Sequence, residues 1–75
     1  MEPRDEFLER IKNRALEYID RDNNPREAFT SMLSDLRKHP ELENHVGGTI
    51  GVGMMMLPGW IDNQHEVRRW IVGFR

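Results

Sequence analysis

The chain contains no cysteine, and this excludes disulfide staples, thiolate nucleophiles and the Cys sites of structural zinc. The same absence fits a reducing compartment, so a cytoplasmic location is the expectation. No stretch approaches the roughly 18 apolar residues of a membrane span, and Met1-Glu2-Pro3-Arg4-Asp5-Glu6 is too charged for a secretory signal. A soluble protein without a membrane segment is therefore expected. Charge of one sign is also scarce: the net charge is −2, from 13 acidic and 11 basic residues. No overall field recruits nucleic acid or an anionic membrane. Lysine itself is rare, since only Lys12 and Lys38 accompany nine arginines; arginine pairs with carboxylates and stacks on aromatic rings, a bias compatible with protein-binding surfaces.

The length, 75 residues, allows one domain spanning the whole chain. A domain this small buries only about 60% of its unfolded surface and usually needs a metal, idealised helix packing or a partner subunit for further stability.

Helical spacing dominates what is present. Phe7, Leu8, Ile11, Ala15, Tyr18 and Ile19 predict an amphipathic helix over about 4–21, with Asp5 and Glu6 near its positive end. The run Asp20-Arg21-Asp22-Asn23-Asn24 has no apolar residue and reads as a loop. A second helix begins with Asn24 as cap, Pro25 at the first helical position and Glu27 in a capping-box arrangement. Its stripe is Ala28, Phe29, Met32, Leu33 and Leu36, and Pro40 supplies its stop after Arg37, Lys38 and His39 in the last turn. Ser31, Ser34 and Asp35 fall on its polar face and are expected to be solvated. Glu41 to Asn44 reads as a short polar turn. A last helix starts at Asp62 or Asn63, with Glu66 completing a second capping box, and presents Val67, Trp70 and Ile71 on one face with Arg68 and Arg69 on the other. Gly73 is its terminator.

Between these lies an uncharged segment, Val46 to Leu57. As a helix it would be apolar all round, the pattern of a helix buried on every side. Its four glycines oppose that reading, at up to about 1 kcal/mol each, and a strand and turn around Thr49 to Gly53 is the rival. No second strand exists to pair with it, which favours the helix. The expected fold is all-α: a small bundle of about four helices with a central apolar Gly/Met-rich helix.

The glycines do not make a phosphate loop. A P-loop ends in Gly-Lys-Ser/Thr, and a dinucleotide fingerprint needs a third glycine where Met54, Met55 and Met56 stand. No cofactor is expected. Gly47 and Gly51 instead lie on one helix face, where another helix backbone could approach closely. Among the histidines, His39 and His45 with Glu41 and Glu43 offer a set of donors for a metal-dependent enzyme, but no His-Glu-x-x-His spacing occurs and the turn promises no rigid geometry. Thr30, Ser31, Ser34 and Thr49 have no recognisable catalytic partners. Arg68, Arg69 and Arg75 could serve a nucleic-acid-binding regulator, although the segment after the second helix carries no base-reading side chains. Met54, Met55, Met56, Leu57, Trp60, Trp70 and Phe74 form an apolar set large for so short a chain. The expected function is accordingly a small non-enzymatic interaction module, binding itself as a homodimer or another protein through Met54, Met55, Trp60, Trp70 and Phe74 with Arg68 and Arg69.

The stretch Ser31-Met32-Leu33-Ser34-Asp35-Leu36-Arg37-Lys38-His39-Pro40-Glu41, the glycine and methionine run after it, and Glu66-Val67-Arg68-Arg69-Trp70-Ile71 with Gly73-Phe74 resemble a group of short helical proteins of actinobacteria and their phages. The likeness covers about residues 13–74. It implies a helix through the methionine segment and a phage or mobile-element origin; it carries no activity and no site residues.

Overall fold

In the computed structural model, which describes residues 2–75, the chain folds into four helices: α1 (Arg4–Asp20), α2 (Pro25–Leu36), α3 (Val46–Met55) and α4 (Gln64–Val72), with a 3-10 turn at Trp60–Asp62 before α4. No strand forms among the described residues, and the helical reading of the segment Val46 to Leu57 holds as far as Met55.

Helix α1 buries Phe7, Ile11, Ala15 and Ile19, a row at intervals of one helical turn, with Leu8 beside it. Against α1 lies α2, with Ala28, Phe29, Met32 and Leu36 buried. The connection is tight because Asn23 adopts a left-handed conformation (φ 52°), which asparagine tolerates better than most side chains. That turn lets the Asn24 N–H reach back to the Tyr18 carbonyl at 2.9 Å. Asn24 Oδ1 then accepts from the Glu27 N–H at 3.1 Å, so one residue closes α1 and opens α2.

Helix α2 stops at Leu36, earlier than Pro40 alone would require. His39 causes the difference by turning inward. Its ring lies 5.0 Å from Phe7, Nδ1 accepts from the Glu41 N–H at 3.2 Å, and Nε2 donates to the Glu2 carbonyl at 3.0 Å. The following turn also buries Leu42. Asp35 is a correction to the expected polar face: it is 4% exposed, with Lys38 Nζ 3.1 Å from Oδ1 and Arg14 of α1 3.8 Å from Oδ2.

Helix α4 contributes Val67 and Ile71 to the core, and Asn63 caps it by accepting from the Glu66 N–H at 3.1 Å. Lys12 of α1 closes its far end, donating to the carbonyls of Val72 and Phe74 at 3.1 and 2.9 Å. Arg26 pairs with both carboxylate oxygens of Asp62, tying the start of α2 to the 3-10 turn. At the N-terminal end, Glu2 hydrogen-bonds Arg10, and that bond, reinforced by the carboxylate's charge, raises the Arg10 pKa above its ordinary value.

Candidate protein-interaction surface

Helix α3 is the one element that the core does not enclose. His45 caps it: Nδ1 accepts from the Gly47 N–H at 2.8 Å while Nε2 donates to the Arg75 carbonyl at 2.8 Å. The inner face is made of glycine. A Cβ at Gly47 would stand 2.7 Å from Phe74 Cζ, and one at Gly51 would stand 2.6 Å from Trp70 Cζ2. The Trp70 indole also donates its N–H to the Gly47 carbonyl at 2.9 Å, which fixes the ring beneath the helix.

The rings under α3 form a continuous series. Trp60 meets Phe29 edge-on at 5.4 Å, Phe29 lies 4.9 Å from Trp70, Trp70 meets Phe74 edge-on at 5.1 Å, and Phe74 lies 4.8 Å from His45. Gly47 and Gly51 are therefore packing residues, but what they admit are the rings of Trp70 and Phe74 rather than a helix backbone. Flat rings against a surface without side chains give close contact over a short helix.

With its inner face occupied by glycine, α3 sends its larger side chains outward. Val46 is 70% exposed and Met56 78%, and Ile50, Val52, Met55 and Leu57 are also exposed; Gly51 is the buried residue of the helix. The expectation of a helix buried on all sides is thus overturned. Apolar residues pointing every way were the signal for burial, but four of the ten positions are glycines, and a glycine face can rest on rings without any further helix to cover the other side.

The surface that results differs from the expected Met/Trp set. Trp60 and Phe74, at 6% and 3% exposure, belong to the core, and Trp70 packs partly buried against it. Met54 is half-buried against the core, while Met55 is exposed. Arg68 is ion-paired with Asp20 of α1, and Arg69 lies 3.8 Å from Glu66. Both arginines lie on α4 rather than α3, and each has a carboxylate neighbour. On α3 and just beyond it the exposed set is Val46, Ile50, Val52, Met55, Met56 and Leu57, with Val72 exposed separately on α4; of these the sequence reading placed only Met55 among the binding residues. The clue available in the sequence was the register of glycines against large residues.

The residues of the two alternative readings are placed differently. For a nucleic-acid interface, Arg68, Arg69 and Lys38 are each beside a carboxylate, so they do not join Arg75 in an unopposed basic stripe. For a metal centre, both ring nitrogens of His39 and of His45 are hydrogen-bonded to backbone, and no cluster of three metal-ligating His, Asp or Glu side chains occurs among the described residues. Among the described residues no helix is long and apolar enough to cross a membrane. No protein-family model, curated protein or solved structure matches the chain.

Proposed function

We propose that this chain is a small non-enzymatic interaction module that binds protein, a second copy or a host protein, through the outer face of α3. The observation supporting this reading is the exposure of Val46, Ile50, Val52, Met56 and Leu57 on and just beyond one short helix. These side chains expose on the order of 500 Å² of apolar surface, toward the top of the range for the largest patch on a monomer. From Val46 to Ile61 there is no charged side chain, so the helix itself offers contact area and shape, while Arg37 and Glu43 line the hollow beside Gly48, Thr49 and Val52.

The test places a photo-crosslinking amino acid at position 50 or 56 in cells producing the protein, with Asn13 on the exposed side of α1 as the control position. Adducts to polypeptide from positions 50 and 56, absent from 13, are the expected result. Absence of adducts from both removes the reading.

A further inference from the structure

We infer that the hollow between α2 and α3 binds a free aliphatic amino acid, whose side chain fills the hollow while its carboxylate meets Arg37 and its ammonium group meets Glu43. The hollow has a volume of about 120 Å³ and lies where the end of α2, the turn after it and the first half of α3 converge. It borders the outer face of α3, and its occupant is independent of whatever covers the rest of that face.

The floor is apolar. Leu33, Leu36 and Leu42 form it, and the last two are core residues, 3% and 1% exposed. Gly48 keeps the space above them open. At Gly47 and Gly51 the rings of Phe74 and Trp70 stand where a Cβ would go, whereas a Cβ at Gly48 would make only ordinary contacts, 3.7 Å to Leu36 Cδ1 and 4.0 Å to Leu33 Cδ2. Packing within the chain therefore admits alanine at 48, and alanine would also favour the helix. What glycine supplies there is room.

The rim carries both signs of charge. Arg37 and Glu43 line the hollow, and neither belongs to an ion pair among the described residues, whereas Lys38, the neighbour of Arg37, is held by Asp35. They do not neutralise each other. Thr49 adds a hydroxyl to the same rim.

Size and charge together select the ligand. An aliphatic cavity of about 150 Å³ holds benzene, so this hollow has room for the short branched side chain of leucine or isoleucine and none for an indole. A residue inside a polypeptide has no charge on its own backbone. A free amino acid carries a carboxylate and an ammonium group on the carbon that bears its side chain, one for each unpaired rim group, and a guanidinium receives a carboxylate through two parallel hydrogen bonds. A few placed polar groups around an apolar floor is the usual make-up of a small-molecule site.

Titrating the full chain with leucine while following its amide NMR shifts tests this, with Gly48 and Thr49 as reporters. Saturable shifts at both are expected, with a dissociation constant on the order of 1 mM for so small a ligand. N-acetyl-leucine lacks the ammonium group and leucinamide the carboxylate, so each should bind about three- to tenfold more weakly. Alanine, too short to reach the floor, should bind at least about tenfold more weakly. Glu43→Gln should erase the preference for leucine over N-acetyl-leucine, and Arg37→Gln the preference over leucinamide. Both positions are exposed, so helical circular dichroism should not change. Gly48→Ala should weaken leucine binding severalfold while raising the melting temperature by about 4–8 °C.

An absence of saturable shifts at Gly48 and Thr49 up to about 20 mM leucine overturns the site. So does equal affinity for leucine and its two derivatives, which would leave apolar contact alone, or a preference that survives in the Arg37 and Glu43 variants. Tighter binding of a capped tripeptide with leucine between glutamate and lysine would assign the hollow to a polypeptide, and it too overturns the amino-acid site while leaving the protein-binding reading of α3 intact.

Discussion

Gly51 and Trp70 touch so closely that a Cβ on the glycine would lie 2.6 Å from the indole, and the indole cannot readily retreat because its N–H is bonded to the Gly47 carbonyl. Gly51→Ala sets two effects against each other. Alanine gains up to about 1 kcal/mol of helix propensity, but overpacking against a fixed ring costs about 1–3 kcal/mol. The expected net change is destabilising, by about 1 kcal/mol, and Gly51→Leu should release α3 altogether. Chemical denaturation followed by tryptophan fluorescence measures the first, and hydrogen exchange across residues 46–57 measures the second. Unchanged exchange in Gly51→Leu would show that the glycine face does not hold α3.

Trp70 is the complementary half of the same contact. Trp70→Phe removes the donor to Gly47 and some of the ring area, for which about 1–2 kcal/mol is expected from one hydrogen bond and the lost packing. Trp70→Ala should cost about 3–5 kcal/mol, with the loss concentrated in α3. Because α1 and α2 bury their own rows against each other, their amide protection should outlast that of α3.

All four helices were legible, and for α1, α2 and α4 so were the buried faces, because their signals are local. The rows of α1 and α2 follow the helical repeat, and Asn24 and Asn63 cap where the asparagine-to-glutamate spacing placed them. The sidedness of α3 was hidden, since glycine adds no hydrophobicity to either face and the rings filling the missing Cβ positions belong to residues more than fifteen positions away. For the same reason Trp60 and Phe74 looked like surplus apolar surface in the sequence, whereas Phe29 and His45 pack against them in the fold. Asp35 was misplaced because its burial depends on Arg14 of another helix as well as on its neighbour Lys38.

His45 performs two tasks that substitutions can separate. His45→Ala loses both the cap on Gly47 and the bond to Arg75, for an expected cost of about 1–3 kcal/mol. In His45→Asn the shorter side chain can still accept from the backbone N–H two residues on, as asparagine does in turns, but it cannot span the distance to Arg75. Roughly half the stability lost in the alanine variant should return. Equal losses in the two variants, measured by urea denaturation, would assign the whole effect to the Arg75 contact.

The arginines of α4 support a prediction about nucleic acid. Arg68 is paired with Asp20 and Arg69 lies near Glu66, so a carboxylate partly offsets the field of each. Counterion release rewards cations that add to the positive field, and a cation already neutralised contributes little. No retardation of duplex DNA is expected at about 50 mM salt with micromolar protein. Asp20→Asn frees Arg68 and is the variant most apt to create weak binding; a shift by the unmodified chain that disappears in Arg68→Ala would contradict the pairing seen in the fold.

Asn24 has the most concentrated role for a single surface residue, because its N–H closes α1 and its side chain opens α2. Substitution by alanine keeps the backbone bond and deletes the cap, so about 1 kcal/mol should be lost. Asn23→Gly works the other way: φ of 52° costs glycine nothing, although glycine also gains freedom in the unfolded chain. The two nearly cancel, and a change within about 0.5 kcal/mol is expected. Thermal denaturation of both variants separates capping from backbone strain: a large gain for Asn23→Gly would mean that the turn, and not the cap, limits stability at this corner.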